Sequence, residues 1–311
     1  MATITKTQAA DAIPELFLRE AIGRLNEELM LTRMISRDAS AEVANKGDSV
    51  RVTKRGTVTA KAKAAGSPVV PDAPANTKVS INLDQHWYVS WAMEDVVRAE
   101  TIPDALAYIV DAIPALAETV ESYFFGLYTS ASAALSAYGQ DVSGDILLEA
   151  GRVADVAKWP VGNRWAIVSA KDKKNLLTED KLIDTSIRGE LATVALRNAT
   201  IGTIYGWNVL SSNLIVSTED DGGTEEDDTD DITEYHNIIF NPAAFHMASR
   251  QLPPPPENVG ALTTVVTDPG TGLTFRYVQA YSTLDQAMIH TVDVLFGGAV
   301  VDARLLQELR S

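Results

Sequence analysis

Two segments of alternating apolar and polar residues, joined by a long polar connection, constrain this chain more than any other feature. Residues 48–54 and 78–84 alternate with a period of two, which is typical of half-buried strands. The connection over residues 55–77 contains three prolines, two glycines and few large apolar side chains. Connections of this length are uncommon inside compact domains, and a two-stranded ribbon is only marginally stable alone in water. We therefore predict a projecting hairpin over residues 46–93 that finds its packing partner on another molecule.

The length and composition are those of a globular protein. A chain of 311 residues with 46% hydrophobic residues can bury a large core in one or two domains. No apolar run approaches the roughly 18 residues that span a bilayer, and residues 1–6 lack the apolar segment of a signal peptide. We therefore expect a soluble protein made in a cytosol, with no membrane partner. Cysteine is absent, which excludes disulfides, thiolate metal sites and a cysteine nucleophile.

The distribution of charge says more than the net charge of −16. Residues 219–231 contain nine acids and no base, whereas residues 46–63 carry a net charge of +5, from six bases and one acid. Residues 94–121 carry −6, from seven acids and one arginine. A strongly acidic chain is a poor candidate for gripping nucleic-acid phosphates. The basic hairpin could be interpreted as a nucleic-acid arm, but its tip has no aromatic side chain on which a base could stack.

The first half of the chain contains two helical patterns around the hairpin. Residues 13–33 place leucine and isoleucine at helical spacing and are predicted to form an amphipathic helix. Residues 103–128 repeat apolar residues every three or four positions, which predicts a long helix that Pro114 either kinks or divides in two. Residues 86–93 are predicted to continue the returning strand of the hairpin. A long helix beside antiparallel strands indicates the α+β class.

The second half is predicted to alternate between short helices and strands. Helices are predicted over residues 145–158, 171–177, 182–197 and 242–249, and strands over residues 164–168, 213–217, 237–240, 273–280 and 285–295. Residues 202–209 are rich in turn formers. The acidic residues 219–231 are typical of a flexible, solvated loop. Clustered carboxylates also suit a divalent cation, but the order of acids in an EF-hand loop is missing.

No catalytic or cofactor motif accompanies these elements. The histidines are far apart and lack the spacing of metal ligands; they are His86, His236, His246 and His290. The sequence has neither a Walker A motif nor a Gly-x-Ser-x-Gly elbow, and Gly270-Thr271-Gly272 lacks the third glycine of a dinucleotide site. We therefore predict no enzyme activity, no catalytic residue, no cofactor and no metal site. A hydrolase or transferase function would require a catalytic constellation that the sequence does not display.

Three stretches, in this order and at this spacing, carry a resemblance to a known family. They are IPELFLREAIGRLNEELMLTRMISRD (13–38), EVANKGDSVRVTKRGTVTAK (42–61) and VSINLDQHWYVSWAMED (79–95). Together they resemble the major capsid proteins of tailed bacteriophages, which share the Hong Kong 97 fold. The resemblance is closest to the coat proteins of the short-tailed Salmonella-phage type. It extends over most of the chain and is strongest in the first 130 residues.

The resemblance implies a division of the chain into the domains of that fold. The expected parts are an N-terminal arm over 1–46, an extended E-loop hairpin over 47–86, a peripheral domain with a long spine helix over 87–135 and 236–296, and an axial domain over 136–235 and 297–311 that includes the acidic loop. The chain is too short for the large inserted domain of its closest relatives. It also lacks an additional scaffolding segment ahead of its arm, so a separate scaffolding protein is expected.

The resemblance also implies a function. A protein of this family is the structural subunit of an icosahedral viral capsid, built from pentamers and hexamers of itself with a scaffolding protein and a portal. The shell encloses double-stranded DNA without sequence-specific binding, is assembled in the host cytoplasm and is localised in the virion. The alternative is an encapsulin-like nanocompartment, whose shell protein shares the fold but encloses protein cargo. Particle imaging with nucleic-acid detection would separate these alternatives.

The charge pattern suggests how neighbouring subunits meet. In this family the E-loop lies across the peripheral domain of a neighbouring subunit, and here the loop is basic while the region of the spine helix is acidic. We predict that the bases of the hairpin contact acids on the neighbour. The predicted inter-subunit residues are Arg51, Lys54, Arg55, Lys61 and Lys63 on the hairpin and Glu94, Asp95, Asp104, Glu118 and Glu121 on the neighbour.

Overall fold

A computed structural model describes residues 29–37, 49–56, 58–71, 73–100, 107–179, 201–220, 232–256 and 260–311. Its helices are α1 (Leu31–Met34), α2 (Asp95–Glu100), α3 (Ala107–Gly126), α4 (Gly144–Val156) and α5 (Ala170–Thr178). Its strands are β1 (Ser49–Lys54), β2 (Thr77–Asn82), β3 (Gln85–Glu94), β4 (Ala133–Leu135), β5 (Trp165–Val168), β6 (Gly202–Ile204), β7 (Trp207–Ser211), β8 (Ser217–Asp220), β9 (Ile232–Phe240), β10 (Phe245–Ser249), β11 (Leu262–Thr267), β12 (Thr274–Ser282), β13 (Ala287–Val300) and β14 (Leu306–Arg310). None of the helices within these ranges combines the length and apolar character that a membrane crossing requires.

The strands form an antiparallel ribbon and two larger sheets. The ribbon consists of β1 and β2, with Ser49 opposite Asn82 and Lys54 opposite Thr77. The β13 sheet has the order β10-β13-β12-β11, with β3 also paired to β13. The β9 sheet has the order β4-β14-β9-β5-β7-β6, with β8 also paired to β9. These sheets, together with the helices, confirm the α+β class.

The long helix α3 covers one face of the β13 sheet. Its buried residues recur every three or four positions, as an amphipathic helix on a sheet requires. They are Ile109, Ile113, Leu116, Val120 and Phe124, and they share a core with Phe275, Tyr277, Val292, Val294 and Phe296. The helix passes through Pro114 as one element, so the alternative of two shorter helices is wrong.

A second core lies between α4 and the β9 sheet. Leu147, Ala150 and Ala154 of α4 pack against Trp207, which is fully buried. The Trp207 indole donates a hydrogen bond to the Leu147 carbonyl oxygen at 3.1 Å. The predicted helices over 145–158 and 171–177 and the strand over 164–168 are thereby confirmed, each within two residues.

Two predictions about the second half are wrong. Residues 242–249 were expected to be a helix, but they form a 3-10 turn at Pro242–Ala244 followed by β10. Phe245 and Met247 are buried on the same face of this strand, and Phe245 pairs with Val300 of β13. The period-two contact with the core and the pairing with β13 override the helical propensity of alanine and methionine. The strand expected over 213–217 begins instead at Ser217.

The turn-rich segment 202–209 forms a tight hairpin. Tyr205 and Gly206 have φ values of 48° and 85° and lie between Ile204 of β6 and Trp207 of β7. Positive φ at both central residues is typical of the type I′ turn that closes two-residue hairpins. The predictions over residues 13–28, 182–197 and 221–231 lie outside the described residues.

Candidate inter-subunit surface

The ribbon has an inward face that packs on its own chain. Val50 and Ile81 are 4% and 0% exposed and form a small core with Ala248 of β10. At Gly297 of β13, an added Cβ would lie 1.8 Å from the Asn82 carbonyl oxygen, so the backbones approach too closely for any side chain. The expectation that the hairpin cannot pack on its own subunit is therefore wrong for its base.

The hairpin is not continuous with β3. Leu83 and Asp84 separate β2 from β3, which then pairs with β13 from Gln85 opposite Phe296 to Glu94 opposite Ala287. The sequence prediction joined these two strands into one. The break places β3 in the body of the molecule and leaves only β1 and β2 in the ribbon.

The outward face of the ribbon is polar and basic. Arg51, Thr53, Lys78 and Ser80 are exposed, with Arg51 opposite Ser80 and Thr53 opposite Lys78. Neither β1 nor β2 contains an acid. Lys78 was missed by the sequence analysis, although the period-two pattern of β2 already places it on the side opposite Ile81.

The far end of the ribbon, which we call the tip, comprises the described residues between 58 and 76. All of them are exposed, including Lys61 and Lys63. Val58 and Val69 are each 72% exposed and Val70 is 67% exposed. Val69 and Val70 are adjacent in the sequence and add exposed apolar side chains to this tip.

Lys54 lies on the inward side and contacts its own chain. Its Nζ atom is 2.7 Å from Oδ1 of Asp302, which also accepts hydrogen bonds from Arg304. Burial raises the pKa of Asp302, but the hydrogen bonds from Arg304 and Lys54 outweigh this effect and lower the pKa to about 2. The structure thus gives Lys54 an intramolecular partner, whereas Arg51 and Arg55 remain exposed.

Acids are exposed at the start of α2 and along α3. Glu94 and Asp95 are exposed at the end of β3, and Asp95 Oδ2 accepts a hydrogen bond from the Tyr281 hydroxyl at 2.7 Å. Asp111 and Glu118 are exposed on α3 and lie seven residues apart, which places them on one side of the helix two turns apart. The predicted Asp104 lies outside the described residues.

Glu121 has an internal role instead. Glu121 is only 1% exposed. Its two carboxylate oxygens accept hydrogen bonds from the backbone N–H groups of Met30, Leu31 and Thr32. The Thr32 hydroxyl donates a further hydrogen bond at 2.5 Å. Burial raises the pKa of Glu121, and the hydrogen bonds from Thr32, Leu31 and Met30 oppose this rise. Because these contacts hold α1 against α3, Glu121 is not available at the surface to a neighbouring subunit.

The buried His236 and His290 form polar contacts and ring contacts within the subunit. His236 stacks on Tyr128 with ring centroids 4.1 Å apart, and its Nδ1 is 2.8 Å from Glu308 Oε1. The Tyr277 hydroxyl is 2.6 Å from His290 Nδ1. Within the described residues, no three His, Cys, Asp or Glu side chains are arranged to hold a metal ion. The geometry around these histidines is that of satisfied structural contacts.

Comparison with solved structures identifies the fold. The chain is similar to a structure from Mycobacterium phage Che8, with 20% identity, a TM-score of 0.67 and 91% of each chain covered. It is also similar to the capsid of cyanophage P-SCSP1u, with 16% identity, a TM-score of 0.62, and 89% of this chain and 86% of that chain covered. The capsid of Ralstonia phage GP4 gives 11% identity, a TM-score of 0.61 and coverages of 89% and 87%.

A similar structure from outside these phages is a virus-like particle from Pyrococcus furiosus. It has 14% identity and a TM-score of 0.53, with 94% of this chain and 98% of that chain covered. No protein-family model matches the sequence, and no curated protein matches it either. The structural likeness extends over about nine tenths of the chain, so it concerns the whole architecture and not a shared motif. The chain therefore has the Hong Kong 97-like fold of tailed-phage capsid proteins.

Proposed function

We propose that this chain is the structural subunit of a phage-type capsid and assembles with copies of itself into a closed icosahedral shell. The observation that carries the proposal is the likeness to phage capsid structures over 89% of the chain. The ribbon adds support from physical chemistry, because its base is packed and its tip is exposed in the isolated subunit. A partner on a neighbouring copy would cover the exposed valines of the tip.

We propose that exposed charged residues form the contact between neighbouring subunits. On the hairpin it consists of the exposed bases Arg51, Arg55, Lys61, Lys63 and Lys78. On the neighbour it consists of exposed acids at the start of α2 and on α3, namely Glu94, Asp95, Asp111 and Glu118. Exposed ion pairs contribute only about 0.2–1 kcal/mol each, but closed symmetry repeats them at every interface of a shell. We keep Asp104 in the proposal. We leave out Lys54, whose ammonium group is paired with the Asp302 carboxylate, and Glu121, which is buried.

The finer expectations belong to this proposal as well. They are a separate scaffolding protein, a portal, packaged double-stranded DNA, assembly in a host cytoplasm, similarity to the short-tailed Salmonella-phage type, and the division into arm, E-loop, peripheral and axial domains. The acidic character of the chain supports weak, sequence-independent contact with packaged DNA, because like charges repel. No catalytic residue takes part in this function.

A shell that encloses protein cargo is the second candidate. It is favoured by the likeness to the virus-like particle from Pyrococcus furiosus. Both candidates predict closed particles, whereas an enzyme or a monomeric binding protein predicts none.

Electron microscopy of the purified protein, alone and with the proteins encoded beside it, tests the proposal. Closed icosahedral particles would support a shell subunit, and nuclease-protected double-stranded DNA inside particles from infected cells would support the capsid. Particles that contain protein cargo and no DNA would favour the second candidate. A protein that stays monomeric under every assembly condition would overturn both.

A further inference from the structure

The ribbon, the β13 sheet and the β9 sheet meet at Asp302. This residue lies between β13, which ends at Val300, and β14, which begins at Leu306, so it connects the β13 sheet with the β9 sheet. Its Oδ1 accepts from Lys54 Nζ at 2.7 Å and from Arg304 Nε at 3.0 Å. Its Oδ2 accepts from Arg304 Nη2 at 2.7 Å. The Asp302 carboxylate, 14% exposed, thus joins the ribbon to the junction of the two sheets.

The ribbon is attached to the body at two levels. The lower attachment is apolar and steric: Val50 and Ile81 pack on Ala248, and the Asn82 carbonyl lies against Gly297. The upper attachment is the ion pair of Lys54, which lies four residues beyond Val50 in β1. At about 3.3 Å per residue, the two attachments are about 13 Å apart along the ribbon.

Two separated attachments fix the direction of the ribbon relative to the body, whereas a single attachment would allow the ribbon to rotate about it. Beyond Lys54, the described residues from 58 to 76 all have exposed side chains. The upper attachment borders an open cleft that is lined by residues of the ribbon, including Lys54, Arg55 and Pro74, and by Arg304 of the body. The charges at Asp302 therefore contribute to the direction of the tip.

We propose that Asp302 is a positioning residue that holds the hairpin at one angle to the body of the subunit, with Lys54 as its point of attachment on the ribbon. The apolar base locates the ribbon, and the ion pair sets its direction. This property belongs to the isolated subunit. Its consequence for assembly, that the tip is aimed at one place on a neighbour, rests on the proposed function.

The test is a distance measurement in the monomer. The chain has no cysteine, so Ala65→Cys in the tip and Val161→Cys in the body, which is 87% exposed, accept two spin labels without background. Double electron–electron resonance then gives the distribution of distances between tip and body. Asp302→Asn removes the charge but keeps a side-chain oxygen that caps the following 3-10 turn.

We expect Asp302→Asn and, separately, Lys54→Met to widen the distance distribution at least twofold. Asp285→Asn, which removes an exposed carboxylate from the turn between β12 and β13, is the matched control and should leave the width unchanged.

Circular dichroism separates loss of folding from release of the ribbon. Lys54→Met keeps the proposal testable should Asp302→Asn fail to fold, because the Lys54 side chain is one third exposed. An unchanged narrow distribution in folded Lys54→Met would overturn the inference. This result is independent of particle formation, so the inference and the proposed function can fail separately.

Discussion

The net charge of a segment does not show which of its charged side chains are exposed. The sequence grouped Glu121 with the acids of a surface and Lys54 with the bases of a contact, because both lie in segments of strong net charge. The sequence around each residue nevertheless indicates that its side chain points inward. Lys54 follows Val50 and Val52 in the period-two alternation, and Glu121 follows Ala117 by four residues within the apolar repeat of α3. The structure uses both charges inside the subunit.

Replacing Glu121 by glutamine should destabilise the subunit. The glutamine amide would place an N–H donor against backbone N–H groups that now donate to a carboxylate, so at least one buried donor loses its acceptor. We expect the free energy of unfolding to fall by about 1–3 kcal/mol, measured by chemical denaturation. Glu118→Gln on the exposed side of α3 is the control and should change it by less than about 0.5 kcal/mol. Equal stability of the two variants would contradict the internal role of Glu121.

The hairpin angle should be insensitive to pH near neutrality. The pKa of Asp302 is lowered to about 2 in the folded subunit, against roughly 3.9 in an unfolded chain. The stabilisation by this carboxylate is therefore present above the unfolded value and is lost only as the pH falls through about 2. The spin-label distances should stay narrow from pH 8 to pH 5. Widening within that interval would show that another titrating group holds the ribbon.

Secondary-structure elements were predictable where one pattern dominates. The apolar repeat of α3 and the alternation of β1 and β2 predicted the correct element types. In each of these elements the buried and exposed side chains follow the period of the helix or strand itself. Two of the failures occurred at β10 and at the break before β3. Both strands are defined by pairing with β13, which lies distant in the sequence, and no local propensity encodes that pairing.

The close approach of the ribbon to β13 provides a test of how the hairpin is anchored. Gly297→Ala would place a Cβ 1.8 Å from the Asn82 carbonyl oxygen, so the base of the ribbon must shift. We expect faster amide hydrogen exchange in residues 50–54 and 77–82 than in the wild type, measured by mass spectrometry. Gly126→Ala, where an added Cβ meets no atom within 4 Å, should leave this exchange unchanged. Unchanged protection in Gly297→Ala would show that the ribbon is anchored elsewhere.

The described part of the molecule combines a body of two sheets with a ribbon that is packed only at its base. The fold class and most of the elements could be predicted from the sequence, and the candidate surface only in part. Net charge identified the basic hairpin, but the direction of each side chain depends on the packing of Ile81 and Val50 against Ala248. That contact joins segments about 170–200 residues apart in the sequence, beyond the reach of periodicity.

The central claim is that exposed bases of the hairpin meet exposed acids of a neighbouring copy in a shell. The double substitution Lys61→Glu and Lys63→Glu changes the net charge of the tip by −4. Both side chains are exposed. A matched control, Lys158→Glu with Lys174→Glu, makes the same change at exposed positions outside the ribbon. Adding Glu94→Lys and Glu118→Lys to the tip variant reverses both sides of the proposed contact.

Particle yield, measured by sedimentation and electron microscopy, is the most direct test. The tip variant should remain folded and lose at least tenfold in closed particles, the control variant should assemble like the wild type, and the fourfold variant should recover assembly. Equal particle yields from the tip variant, the control and the wild type would contradict the claim.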